Sequence, residues 1–181
     1  MNIKIYNEEN APEKSIELLK AAKENFGFIP NVLGAMAGSP ATLKSYMDLF
    51  GNLNLSNLNA QEKEVLFLTI SFENSCHYCM AAHTGGAKQA EVPEHIIQSL
   101  REGRELDDPK LNALTNLTRK IVQTSGNPSQ SDIEDFTGAG YNCENVFDII
   151  TAVSMKTLSN YVNHIAETPL DEAFKAFEWK K

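Results

Sequence analysis

The chain is poor in cysteine, in basic charge and in long apolar runs, and each shortage excludes something. Only three of its 181 residues are cysteine. A small, odd number of thiols argues against a secreted disulfide framework and for a reducing compartment, and the cytoplasm is the expected location. The opening residues, MNIKIYNEEN, contain no apolar leader segment. The strongest apolar run, residues 65–70, is far shorter than the roughly 20 residues a bilayer span needs, so no membrane association is expected. Lysine and arginine number 16 against 24 acidic residues, a formal charge of −8. With no basic run, nucleic acid and anionic lipid are not expected partners. There is no stretch rich in glycine, serine or proline, no low-complexity segment and no break in composition. One domain spanning 1–181 is therefore expected. What is present is a globular balance, 42% hydrophobic and 22% charged, enough for a core that needs no disulfide staples.

After a short alternating stretch at Ile3 and Ile5, which reads as strand or tail, the pattern is helical throughout. Pro12 opens a helix carrying Ile16, Leu19, Ala22 and Phe26, and Gly27 closes it. A turn at 28–31 leads to a short helix with Val32, Ala35 and Met36. Ser39-Pro40 caps and starts the next, with Leu43, Tyr46, Met47 and Phe50. Asn59 and Glu62 form a capping box before a helix that is apolar nearly all round, the pattern of a buried central element. Asn74 and Ser75 cap a further helix beginning near Cys76. Helices are expected from Pro93 to about Gly103, through Leu111–Ile121, from Ser131 to 138–140, through Val146–Ile165, and, after Thr168-Pro169, as a short amphipathic segment at the C-terminus. The fold class is all-α.

The chemistry concentrates in 64–83. Cys76 and Cys79, three apart at a helix start, put both sulfurs on one face, close enough for a small disulfide ring. The unpaired N–H groups and the dipole there favour a thiolate. His83 lies one turn beyond Cys79 on the same face, where an imidazole can take the thiol proton or, charged, stabilise the thiolate. Glu64 precedes Cys76 by twelve residues, about 18 Å along one straight helix. It can meet His83 only if the chain turns sharply within 71–75 and the two helices pack side by side. A carboxylate among apolar neighbours needs a partner, and His83 is the natural one. Spacing alone thus suggests a nucleophilic thiol, a resolving thiol and a base. Cys79, nearer His83, is the favoured nucleophile, with Cys76 resolving it and receiving the reductant. The reverse assignment stays open, because Cys76 sits nearer the helix start.

The pattern Glu64-x11-Cys76-x2-Cys79-x3-His83 resembles the alkylhydroperoxidase core of the carboxymuconolactone decarboxylase superfamily, in particular its AhpD-like, peroxidase-related members. The strongest likeness covers about 60–105. Phe26-Gly-Phe-Ile-Pro-Asn31, Asn160-Tyr-Val-Asn-His164 and Thr168-Pro-Leu-Asp171 resemble the same group. The resemblance implies an all-helical AhpD-like bundle that assembles as trimers or hexamers. It implies a thiol-dependent antioxidant peroxidase without flavin, haem or metal, in which Glu64, Cys76, Cys79 and His83 form a proton relay. The implied partners are a hydroperoxide substrate and a dithiol or lipoyl-type reductant protein. Some members carry a second histidine between the cysteines where Tyr78 stands here, and His77 is displaced about 100° around the helix from that position.

Three alternatives use the same residues: a general thiol–disulfide oxidoreductase, a cofactor-free decarboxylase needing Glu64 or His83 but neither thiol, and a zinc site completed by Cys143, His95 or His164. Otherwise Cys143 is expected to be a small buried residue. His164 closes the long helix, either reaching the site or sitting beside the dipole. Met36, Met47, Met80 and Met155 read as core filler, and Arg101 to Asp108 as solvated surface. The Gly85-Gly86 pair suggests close packing against another subunit.

Overall fold

The computed structural model describes residues 3–181, and their regular structure is helical, with no strand among the described residues. Nine α-helices follow in order: α1 Glu13–Phe26, α2 Asn31–Met36, α3 Pro40–Asn52, α4 Ala60–Glu73, α5 His77–Gln89, α6 Glu94–Arg101, α7 Pro109–Gln123, α8 Gln130–Gly138 and α9 Cys143–Ala166. Short 3-10 turns occupy Leu53–Leu55 and Glu172–Phe177. Several starts carry side-chain caps that local sequence dictates. Ser39 accepts from the Thr42 N–H with Pro40 inside the first turn, and Asn59 with Glu62 closes a complete capping box. Ser129–Asp132 and Asn142–Asn145 do the same for α8 and α9. Gly27 ends α1 at φ 79°, a conformation that costs glycine little.

Helix α4 is the centre. Val65, Leu66, Leu68 and Ile70 are fully buried on its several faces, and α5, α6, α7 and α9 pack around it. The reversal after α4 is tight. Ser75 adopts φ 53°, and the Cys76 N–H donates to the Ser71 carbonyl at 3.0 Å. This folds α5 back along α4. No helix is long and apolar enough to cross a membrane among the described residues.

Several expectations are corrected. Residues 3–6 are not a strand. The segment lies against α2, where Tyr6 N–H donates to the Gly34 carbonyl at 3.0 Å. A Cβ on Gly34 would come within 2.7 Å of both Ile5 and the Tyr6 carbonyl. The C-terminal segment is a 3-10 turn held by its ends instead of an amphipathic α-helix. Trp179 is buried and donates its indole N–H to the Arg101 carbonyl at 2.8 Å. Arg101 is not solvated surface. Its guanidinium donates to the Phe177 and Glu178 carbonyls and to Thr84 Oγ1, tying the C-terminus across α5 and α6. Cys143 is exposed at the start of α9, not buried. Close packing at the glycine pair includes contacts within the chain: Gly85 faces the Phe177 ring and Gly86 the Glu64 carboxylate.

Candidate active site

The α4–α5 reversal brings Glu64 and His83 together. His83 Nδ1 and Glu64 Oε2 are 3.0 Å apart, and both side chains are mostly buried. The imidazole also lies against the Phe67 ring, 4.9 Å between centroids. The carboxylate fits because residue 86 is glycine. A Cβ there would lie 2.7–2.9 Å from its atoms.

Cys76 is the N-cap of α5, and its sulfur accepts the Cys79 N–H at 3.4 Å. Both thiols are free and buried. They differ in surroundings. Cys79 and His83 line a chamber of about 680 Å³ whose walls include Phe28, Tyr46, Met47, Phe50 and Phe174, whereas Cys76 lies behind that wall. The Cys79 sulfur accepts from Asn160 Nδ2 at 2.9 Å and Asn163 Nδ2 at 3.2 Å. Asn160 is aimed by Asn74, the C-cap of α4, whose amide donates to Asn160 Oδ1 at 2.8 Å. Asn163 Oδ1 has no partner among the described residues.

These contacts separate the two thiols. Burial by itself pushes the Cys79 thiol up. The Cys76 S–H, the Lys156 and His83 charges and the Asn163 amide outweigh it, and Cys79 lies well below the ordinary thiol value. Cys76 moves the other way, because it donates to Cys79, is itself buried and faces the charge on Cys79. The two thiols are therefore shifted in opposite directions. No direct hydrogen bond joins His83 to either sulfur among the described residues, so proton exchange between them would need a water or a small side-chain movement.

Tyr78 stands where a second histidine was considered. Its hydroxyl donates to the Asp171 carboxylate, which also accepts the Asn31 N–H at 3.1 Å. Burial and this bond push the phenol up, and burial raises Asp171 against the pull of its two donors. The trio joins α5, the start of α2 and the C-terminal segment. His77 faces away from this chamber, its ring against Trp179 and its Nδ1 bonded to the Trp179 carbonyl at 3.0 Å. His164 is exposed. No group of three or more His, Cys, Asp or Glu side chains is placed to hold a metal among the described residues.

Residues 40–120 match the Carboxymuconolactone decarboxylase family. That matched segment contains Glu64, Cys76, Cys79 and His83, and over it the chain is similar to this family. Its fold is that of the AhpD-like helical proteins. An uncharacterized peroxidase-related protein from Ralstonia eutropha JMP134, described as an alkylhydroperoxidase AhpD core, superposes with a TM-score of 0.82 at 20% identity, covering 96% of this chain and 95% of that one. A second uncharacterized peroxidase-related protein, from Silicibacter sp. TM1040, gives 0.79 at 21% identity over 96% and 92%. The debrominase Bmp8, in complex with 2,3,4-tribromopyrrole, gives 0.81 at 15% identity over 98% and 95%. No curated protein matches the sequence.

Sequence reasoning found Glu64, Cys76, Cys79 and His83, which the fold gathers at one place. It missed Lys156 and the amide roles of Asn160 and Asn163. A signal existed. Positions 156, 160 and 163, with Ser159 between them, form a buried polar stripe that includes i, i+4 and i+7 and follows the apolar, fully buried Ile149, Ala152 and Met155 on the same helix.

Proposed function

We propose that the protein is a thiol-dependent hydroperoxide reductase in which Cys79 attacks and Cys76 resolves. The observation that carries this reading is the asymmetry of the pair. Cys79 lines the chamber and its sulfur accepts from the Asn160 and Asn163 amides, while Cys76 sits fully buried behind it, outside the chamber wall. Glu64 orients His83 and supports its proton exchange. The Cys79 thiolate attacks the distal peroxide oxygen. The S–O bond forms as the O–O bond breaks, and the leaving alkoxide takes a proton from protonated His83. Cys76 then displaces hydroxide from the sulfenic acid, giving the disulfide and water. An external dithiol reopens it by exchange, itself becoming a disulfide. Because Cys76 is the more buried thiol, reductant reaches the pair from the chamber side. A slender dithiol or lipoyl-type arm suits that route better than a broad protein surface, and a reducing compartment such as the cytoplasm supplies the electrons. Exposed Phe147, Ile150, Tyr161 and Ile165 on α9 support assembly as a homo-oligomer.

The test is one equivalent of an organic hydroperoxide added to reduced protein. Expected are one equivalent of alcohol, a Cys76–Cys79 disulfide by mass spectrometry, and a trappable sulfenic acid on Cys79 in Cys76→Ser. Unchanged thiols in the wild type refute the reading. Sulfenic acid on Cys76 in Cys79→Ser, with none on Cys79 in Cys76→Ser, reverses the assignment.

A second reading is favoured by the aromatic walls of the chamber, which are larger and more apolar than hydrogen peroxide requires. The same dithiol can deliver two electrons and a proton to a carbon–halogen bond, releasing halide as the pair becomes a disulfide. Bromide release from a brominated pyrrole under excess dithiol, measured beside peroxide turnover, separates the two. A decarboxylase acting through Glu64 or His83 alone would keep its rate in Cys79→Ser.

A further inference from the structure

Lys156 is the most deeply buried charged side chain among the described residues, 1% exposed. It lies in α9 one turn before Asn160 and two before Asn163, on the face that bonds to Cys79, and it lines the same chamber. None of the ion pairs of the described residues includes it. A buried ammonium without an anion is strongly unfavourable, so the groups around it must supply one. Those facing the chamber or Cys79 can be named element by element: Tyr46 on α3, Glu64 on α4, Cys76, Tyr78, Cys79 and His83 on α5, and Asp171 in the C-terminal segment. Tyr46 and Tyr78 remain neutral phenols because burial raises both. Glu64 is engaged by His83, and Asp171 by Tyr78 and Asn31. Cys79 is the remaining ionisable group on the wall that Lys156 shares; no hydrogen bond joins the ammonium to its sulfur among the described residues, so the two charges act on each other across the chamber.

We propose that Lys156 is the counter-ion of the Cys79 thiolate, a positioning residue that keeps the nucleophile ionised at the chamber wall and loses its partner whenever Cys79 is oxidised. The proposal rests on the thiolate assignment above but not on the identity of the oxidant. When the two thiols become a disulfide, two sulfurs of total charge −1 become neutral, and Lys156 is left buried and unpaired. It must then release its proton more readily, draw in water, or bind an anion. The ammonium is thus linked to the redox state of the pair, and the linkage is reciprocal. Whatever Lys156 does to the proton affinity of Cys79, Cys79 does equally to Lys156.

The test reads protonation, not turnover. In full-length reduced protein, the pH dependence of Cys79 alkylation by iodoacetamide is followed by mass spectrometry for wild type, Lys156→Arg and Lys156→Met. The Met variant is expected to move the midpoint up by at least one pH unit, a tenfold loss of thiolate below it, and the Arg variant to keep it near wild type. A Met midpoint unchanged in folded protein overturns the proposal. Should the Met variant fail to fold, the reciprocal measurement decides. The Lys156 side chain is titrated by NMR in isotope-labelled wild type, reduced and then oxidised to the Cys76–Cys79 disulfide with diamide, and in Cys79→Ser. A Lys156 midpoint at least one unit lower in both uncharged forms supports the pairing, and equal midpoints overturn it. Alkylation needs no peroxide, so a protein that passes this test but ignores hydroperoxide refutes the peroxidase reading alone.

Discussion

Gly86→Ala should cost activity while leaving stability nearly unchanged. The position is inside α5 with ordinary helical dihedrals, so alanine removes the backbone entropy penalty of glycine, about 0.5–1 kcal/mol. For a chain of this size that gain alone is a rise of about 1–4 °C in Tm. The new methyl meets one group, the Glu64 carboxylate, with Oε1, Cδ and Oε2 at 2.7, 2.8 and 2.9 Å. Comfortable contact needs about 3.5 Å, so the carboxylate retreats by about 0.7 Å. The movement itself is easy because it is the free end of a flexible side chain, but it breaks the 3.0 Å bond that orients His83, and losing that bond costs about 0.5–1.5 kcal/mol, which roughly offsets the backbone gain. Misplacing a catalytic group by about 1 Å can cost on the order of 10²-fold, so kcat should fall by about 10- to 100-fold. Thermal melts and steady-state hydroperoxide reduction with a dithiol read the two effects. Gly85→Ala is the control, since its methyl meets the Phe177 ring at 3.1 Å and leaves Glu64 alone. A Gly86→Ala protein that keeps full kcat would refute a catalytic role for the Glu64–His83 bond. One that melts several degrees lower would refute the steric argument.

Other consequences follow from the same geometry. At pH 7 iodoacetamide should label Cys79 before Cys76. Because the Cys79 pKa is depressed, its reactivity should persist below the ordinary thiol value of about 8.5 and fall only as pH drops through the lowered one, which peptide mapping checks. Glu62 is 5% exposed and is held as a carboxylate by Lys110, the Asn59 N–H and Tyr141, which outweigh the opposing effect of burial. Its folded pKa is lowered, so its contribution is full above the unfolded value of about 4.3 and disappears as pH falls through the folded one. Glu62→Gln should therefore cost about 1–2 kcal/mol at pH 7, a gap that closes on acidification in denaturant titrations. A constant gap would count against the ion pair. Trp179→Ala removes the buried anchor of the C-terminal segment and should cost about 3–5 kcal/mol. Amide exchange should rise first at 171–181, and uniform loss of protection would show that the segment does not open separately.

The sequence by itself determined most of what depends on neighbours within a turn or two. Asn59–Glu62, Ser39-Pro40 and Gly27 act through groups three or four residues away, so the helix starts and stops were legible. So was α4 as the central element, because apolar residues on all faces leave no side for water. The Cys76–Cys79 spacing at a helix start was legible for the same reason. Some predictions went further than local rules allow. Cys143 was taken for a buried residue and proved exposed. Arg101 was taken for solvated surface and instead clamps the C-terminus. The Gly85-Gly86 pattern says close packing, but not that the close neighbours include Phe177 and Glu64 of the same chain. Each error concerns what a side chain meets across the fold.

Only the tertiary structure decided which polar groups are buried together. Asn160 and Asn163 reach Cys79 from more than eighty residues away in sequence, and Lys156 enters the same chamber. Tyr78 finds Asp171 across 93 positions. The cost of burying a charge or an unpaired amide depends on the partner that packing supplies, and no periodicity encodes that partner. A dithiol could be read from spacing. That one thiol lines the chamber with two amides on its sulfur while the other lies behind it is a property of the packed core.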